Sequence, residues 1–270
     1  MFRRFGSKVT IIEKGKQLLS REDEDIAQEL TDILQQEGIK VHLGTAVTGV
    51  HLTESGAISV ALQHDQETSK VLGSHLLLAI GTTPNTATLH LDTAGIEVDQ
   101  KGYIKVSDRL ETTQPGVYAL GDIKGGPEFT HISYDDYRII KQNLLEKGNA
   151  TIAGRRVPYT VFTDPQLGRI GLSEKEAKKK NQPVKIASMP MTKVARAYEM
   201  DRTNGLLKVL IDPDTDQILG AAMLGMEGGE MMAMLQIAMM GKVPYTELRD
   251  GVFAHPTLAE SLNNLFQTVE

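Results

Sequence analysis

The chain has 270 residues, of which 40% are hydrophobic and 24% charged, with a formal net charge of -6 at pH 7 and no cysteine. These values suit a soluble globular protein of two small domains, and the charge favours neither nucleic acid nor an anionic membrane as partner. The missing cysteine excludes disulfides, thiolate catalysis and cysteine metal sites, and no apolar run is long enough to span a bilayer. No signal-like apolar segment follows the basic start at Arg3 and Arg4, which predicts a cytoplasmic protein.

The β-branched run at residues 9–12 ends at Glu13 and predicts a buried parallel strand. Ile26, Leu30, Ile33 and Leu34 then fall on one helical face, after an acidic stretch in which Asp23 or Asp25 suits the helix N-terminus, and Gly38 ends the helix. Residues 39–43 predict the next strand, giving the strand–helix–strand unit of a doubly wound sheet. Residues 57–62 and 70–72 predict an antiparallel meander joined by a polar turn at 64–69. Residues 75–80 predict an apolar strand running into Gly81, and residues 103–106 and 116–120 two further strands, the last ending at Gly121 and Asp122. Tyr134, Tyr137, Ile140 and Leu144 share one face of a helix over 133–145.

A boundary is predicted near residues 154–158. Beyond it, strands are expected at 168–172, 184–187, 205–211 and 218–224, with helices after Ser173 and over 230–240 and 258–266. Strands with helices packed on one side make an α+β domain of roughly 115 residues. The methionines at 223, 226, 231, 232, 234, 239 and 240 suit core or subunit packing better than a metal role, and no histidines have zinc-ligand spacing.

Four positions carry candidate chemistry. Glu13 closes a strand, where an acidic residue of a dinucleotide-binding sheet accepts hydrogen bonds from a ribose; from composition alone an exposed strand-end glutamate is the better reading. Asp122, directly after Gly121, is placed either to accept hydrogen bonds from a polyol at the sheet edge or to cap the following turn. Gly81 opens the loop Gly-Thr-Thr-Pro-Asn. His255 and Glu260 flank Pro256 and Thr257, a possible N-cap. If Glu260 holds one ring nitrogen of His255, the other becomes a general base; the alternative is a histidine that caps a helix.

Read together, four ordered signatures resemble the C-terminal three-fifths of the FAD-dependent pyridine nucleotide-disulfide oxidoreductases. These are residues 6–13, 81–85, 116–122 and the run His255-Pro256-Thr257-Leu258-Ala259-Glu260. Residues 125–138 look like the bacterial subgroup of mercuric reductase, RclA and hypothiocyanous acid reductases. The resemblance implies an α/β plus α+β fold: partial doubly wound nucleotide-binding domains followed by a complete α+β dimerisation domain. It implies a partial NAD(P)-binding domain at 1–83, the C-terminal part of an FAD-binding domain at 84–152, and a dimerisation domain at 153–270.

By the same resemblance, Glu13, Gly81, Gly121 and Asp122 contact cofactors, Asp122 the flavin ribityl chain and Glu13 the ribose of NADH. His255 and Glu260 exchange a proton with a thiol in a partner subunit of a homodimer. The implied parent passes hydride from NADH or NADPH through FAD and a cysteine pair to a disulfide or small-molecule oxidant. This chain is expected to be a fragment of such an enzyme, working through a cysteine pair it lacks and holding no cofactor tightly. The alternative is a non-catalytic dimerising module or one half of a split enzyme. Thr82 stands where many relatives have arginine, and neither glycine-rich pyrophosphate loop is present.

Overall fold

The first β-branched run forms β1 (Thr10–Ile12), which pairs in parallel with β2 (Lys40–His42); α1 (Glu24–Gln36) connects them. These elements belong to a computed structural model that describes residues 1–270. It contains two units, residues 1–77 together with 158–270, and residues 78–157. The meander that follows comprises β3 (Thr45–Leu52), β4 (Ile58–His64) and β5 (Glu67–Gly73) in spatial order. β3 escapes sequence analysis because its apolar residues mark no buried face: Val47, Val50 and Leu52 are all exposed, and its pairing with β4 shifts register between Val47 and Gly49. The β4–β5 turn is also tighter than predicted. His64 pairs with Glu67, and Asp65 takes a left-handed φ of 50°, which aspartate tolerates better than most residues.

In the 78–157 unit the predicted strands at 103–106 and 116–120 reduce to isolated bridges, Ile104 to Val98, Val106 to Thr112 and Tyr118 to Glu111. The predicted strand at 75–80 does not form either. Leu77, Leu78 and Ile80 are 79%, 69% and 91% exposed. An extended apolar run becomes a strand only when a neighbour takes up its backbone donors and acceptors; here no neighbour does. The helix of this unit, α2 (Thr130–Leu145), starts three residues before the predicted position.

The α+β region is more regular. Its chain order is β6 (Tyr159–Val161), β7 (Gln166–Gly171), α3 (Glu174–Lys179), β8 (Lys185–Pro190), α4 (Ala195–Glu199), β9 (Leu206–Ile211), β10 (Ile218–Gly225), α5 (Gly228–Met240), α6 (Tyr245–Asp250) and α7 (Ser261–Phe266). The five strands make one antiparallel sheet in the order β6-β7-β10-β9-β8. Period-two alternation sends Ile170, Leu207, Val209, Ala221 and Met223 into one buried cluster with side chains of α5 and α7. Met231, Met232 and Met239 fill this cluster, as thioethers do in irregular cores. α5 approaches so closely that a Cβ on Gly168 would lie 2.2 Å from the Gly228 carbonyl oxygen.

The opposite face of that sheet is covered by residues from the start of the chain. Ile26, Leu30 and Ile33 of α1 pack against Leu167, Ala222 and Leu224, each buried isoleucine or leucine contributing about 1.5–3 kcal/mol. The acidic stretch before α1 meets cations that the sheet carries inward. Buried Lys208 donates to Asp25 (2.8 Å) and Glu174 (2.6 Å) and lies 3.5 Å from Asp23. Asp23 does not cap its own helix. Its carboxylate instead accepts the backbone N–H groups of Glu174 and Lys175 at 3.1 and 3.0 Å, capping α3 from about 150 residues away. Beside it, buried Glu22 accepts a hydrogen bond from the Tyr159 hydroxyl and pairs with Arg169. Burial pushes the Glu22 carboxyl above the ordinary range, against the Tyr159 and Arg169 contacts.

Burial works against the Lys208 charge, but its bonds to Asp25 and Glu174 outweigh it and hold the ammonium above the ordinary lysine value. Lys178 first, then Lys208, holds Glu174 below its ordinary value of 4.5. A carboxylate held low contributes stability above its unfolded value and loses it as the pH falls through the folded one. Lys208→Met is expected to cost about 2–3 kcal/mol at neutral pH, measured as a lower urea midpoint. The gap to the wild type is expected to narrow as the pH falls from 4.5 through the lower value at which folded wild-type Glu174 takes up its proton.

Candidate functional site

His255 leaves an irregular loop after α6, and the His255–Pro256 peptide is cis. Thr257 then organises a turn. Its hydroxyl donates to the Ala254 carbonyl (2.7 Å) and accepts the N–H of Glu260 (3.2 Å). Thr257 therefore shapes the approach to α7, and Glu260 occupies the position just before the helix. This brings both Glu260 oxygens to 2.9 Å from His255 Nδ1.

A carboxylate accepts, so Nδ1 carries the proton when the ring is neutral, and Nε2 holds the basic lone pair. The His255 side chain is 66% exposed and that of Glu260 26%. The arrangement is an oriented imidazole with its basic nitrogen on an accessible ring, able to take a proton from an acidic group brought to it.

Gly81, Gly121 and Asp122 belong to the 78–157 unit. Gly121 begins a 3-10 turn (Gly121–Lys124) with φ 71°, and a Cβ there would lie 2.8 Å from Ser133 Oγ, so the turn requires glycine. Its N–H donates to Oδ2 of buried Asp136 on α2 (2.9 Å). Asp136 also pairs with Lys124 at 3.3 Å and Arg155 at 2.7 Å, both of them largely buried. Burial opposes the Arg155 charge, but its bonds to Asp136 and Asp135 prevail and raise its pKa. This network ties the turn to α2 and leaves the Asp122 side chain exposed. Asp136, Lys124 and Arg155 were not found by sequence analysis; the placement of Asp136 one helical turn after Ser133, facing Gly121, was the available signal.

Glu13, at the end of β1, is half-buried and accepts the Gly15 N–H through Oε1 at 2.5 Å. Gly81 has φ 123° and open space on its Cβ side. The carboxylates of Glu13 and Asp122 are of the type that accepts hydrogen bonds from ribose or ribityl hydroxyls, such as those of NAD(P)H and FAD, with Oε1 of Glu13 already taken by the Gly15 N–H. The pyrophosphates fare differently. No two glycines in the chain are separated by a single residue, so neither cofactor finds the Gly-x-Gly turn that cradles its phosphates.

Residues 1–136 match the family described as pyridine nucleotide-disulphide oxidoreductase, and residues 157–266 match its dimerisation domain. The chain belongs to the pyridine nucleotide-disulphide oxidoreductase family. It is 39% identical over 271 residues to the probable pyridine nucleotide-disulfide oxidoreductase RclA of Escherichia coli, covering 100% of this chain and 60% of that protein. It is 34% identical to the dihydrolipoyl dehydrogenase of Thermus scotoductus, covering 97% of this chain and 57% of that protein. Among solved structures, the HOCl-induced flavoprotein disulfide reductase RclA from Escherichia coli superposes with a TM-score of 0.91 at 38% identity, over 100% of this chain and 61% of that one. The chain thus spans about three-fifths of the length of these relatives.

These matches establish an α/β nucleotide-binding architecture with a separate α+β dimerisation domain, in a family whose full-length members are FAD- and NAD(P)H-dependent oxidoreductases. No helix is long and apolar enough to cross a membrane. One expectation is corrected. The expected main reading is a fragment of an oxidoreductase acting through a cysteine pair that this chain lacks; with no cysteine in the chain, the alternative of a non-catalytic module or one half of a split enzyme is favoured over it. Disulfide exchange needs a thiolate to attack sulfur and a second sulfur to leave, and no residue here supplies either.

Asp136→Ala strands buried Lys124 and leaves Arg155 with Asp135 alone. It is expected to destabilise the 78–157 unit by about 3 kcal/mol, measured as a lower thermal midpoint, with faster hydrogen exchange at the Gly121 amide.

Proposed function

We propose that this chain is a dimerising module that presents an oriented histidine–glutamate pair and performs no redox turnover by itself. The observation that supports this most directly is the combination of the bidentate contact of Glu260 with His255 Nδ1 and the complete absence of cysteine. The partner in this proposal is a second copy, held through residues 153–270. α5 favours it: Ile237 and Met240 are 68% and 69% exposed on a helix whose other apolar residues are buried or half-buried, and a two-fold contact would cover both.

The intact pair also favours a second reading, in which the chain is one half of a split enzyme. A separate polypeptide would then bring the cysteines and the glycine loops, and His255 Nε2 would take up and return the thiol proton. In that assembly residues 1–83 and 84–152 complete the NAD(P)- and FAD-binding domains. Glu13, Gly81, Gly121 and Asp122 contact the cofactors, the charge of Glu13 disfavours the extra phosphate of NADPH, and the substrate is a disulfide or small-molecule oxidant. FAD when bound would supply the relay of electrons from the nicotinamide; this chain's own residues orient hydroxyls and move a proton. The chain alone holds neither cofactor tightly, and its setting is the cytoplasm.

Purified chain is expected to show no NADH-dependent disulfide reduction and no visible flavin absorbance. Stoichiometric flavin or measurable turnover would contradict the module. Co-expression with a polypeptide carrying a glycine loop and a cysteine pair separates the two readings. Restored turnover, falling about 100-fold with His255→Gln, establishes the split enzyme; no restoration leaves the dimerising module.

A further inference from the structure

The loop that carries His255 has little side-chain burial to hold it. Residues 251–255 form no regular element, and Val252, Ala254 and His255 are exposed. Nevertheless Nδ1 meets both oxygens of Glu260, which requires the loop and the start of α7 to keep a fixed separation. Thr257 fixes the far side of the turn. The near side is fixed from α7 itself.

The side-chain amide of half-buried Asn263 donates to three main-chain carbonyls, those of Leu248 (2.8 Å), Arg249 (3.0 Å) and Gly251 (2.9 Å). An amide NH2 has two protons, so at least one of them is shared between acceptors. Leu248 and Arg249 lie in the last turn of α6, where carbonyls lack helical partners. Gly251 is where the chain departs toward His255. The main-chain N–H of the same asparagine donates to the carbonyl of Glu260 (3.0 Å). One residue therefore grips the entry to the histidine loop with its side chain and the glutamate's peptide with its backbone.

We propose that Asn263 is the positioning residue of the pair, setting the distance at which Glu260 captures Nδ1 and so which nitrogen of His255 is basic. This rests on the reading of His255 and Glu260 as a proton-handling pair. An asparagine that only finished α6 would affect stability, with no effect on the histidine tautomer. A carboxylate at 263 has nearly the same shape and no proton to donate, so Asn263→Asp removes the grip without making a cavity.

The test uses the whole chain labelled with 15N-histidine, with the His255 resonances assigned by their loss in His255→Gln. At a pH where the ring is neutral, the wild type is expected to show the Nδ1–H tautomer. In Asn263→Ala and Asn263→Asp the ratio of Nδ1–H to Nε2–H is expected to fall by about fivefold, the weight of one net hydrogen bond, with an unchanged far-ultraviolet dichroism spectrum. A folded Asn263 variant with the wild-type tautomer ratio overturns the proposal.

Glu260→Ala separates that failure from failure of the pair. If Glu260→Ala shifts the tautomer and the Asn263 variants do not, only the role of Asn263 falls; if Glu260→Ala has no effect, the pair itself falls. Should the Asn263 variants fail to fold, the wild-type carboxamide decides. Its protons are expected to exchange with water more slowly than those of exposed Asn264, and equal rates overturn the proposal.

Discussion

The structure of the larger unit depends on Lys208, a charge that the five-stranded sheet carries into a covered face. A buried ammonium is tolerated only where carboxylates meet it closely and their remaining hydrogen bonds are filled. Asp25 and Glu174 meet it, and Asp23 spends its own oxygens on the first N–H groups of α3. The acidic stretch before α1 is thereby tied to the sheet, which seats Ile26, Leu30 and Ile33 on Leu167, Ala222 and Leu224. With that face closed by α1 and the other by α5 and α7, the sheet has apolar cover on both sides. The loops that present His255 start from this platform.

The histidine site follows from the same frame. α6 and α7 pack as neighbours, Tyr245 of one against Phe266 of the other with ring centroids 5.6 Å apart, so their connecting loop must turn back on itself within ten residues, Gly251 to Glu260. Thr257 closes one side of the turn and Asn263 the other. The result is an imidazole whose proton position is set by hydrogen bonding, with its reactive nitrogen on an exposed ring. Such a ring is half of a proton transfer. The chain holds no cysteine to supply the other half, so a module that dimerises and orients the base describes it better than a self-contained reductase.

Some of this was legible in the sequence, and the physical reason for each success or failure differs. β1, α1, the four longer strands of the α+β region and its helices α3, α5 and α7 announced themselves because burial on a fixed face writes a period into the sequence; the stripe of Ile26, Leu30 and Ile33 is the clearest case, whereas β6, α4 and α6 are too short to write one. What that stripe packs against was not legible, since apolar periodicity names a buried face and no partner. The acidic residues do stand at the start of α1, Asp25 in its first turn, but spacing gave no sign that the Asp23 carboxylate also caps α3. Residues 75–80 have the composition of a strand and lack a neighbour to pair with, so composition alone overstated them. The spacing of His255 and Glu260 allowed a pair and left a simple helix cap open; only the 2.9 Å contacts to Nδ1 show what the spacing achieves. Asn263 and Asp136 act through single convergent hydrogen bonds, which leave no periodic trace.

A module of this kind requires a second copy. Sedimentation equilibrium of the purified chain, compared with Ile237→Asp, measures it. A mass twice that of the 29.6 kDa chain, falling to that of one chain when a charge is placed on the exposed face of α5, is the result expected. A wild-type chain that sediments as a single copy at every concentration would contradict the dimerising module.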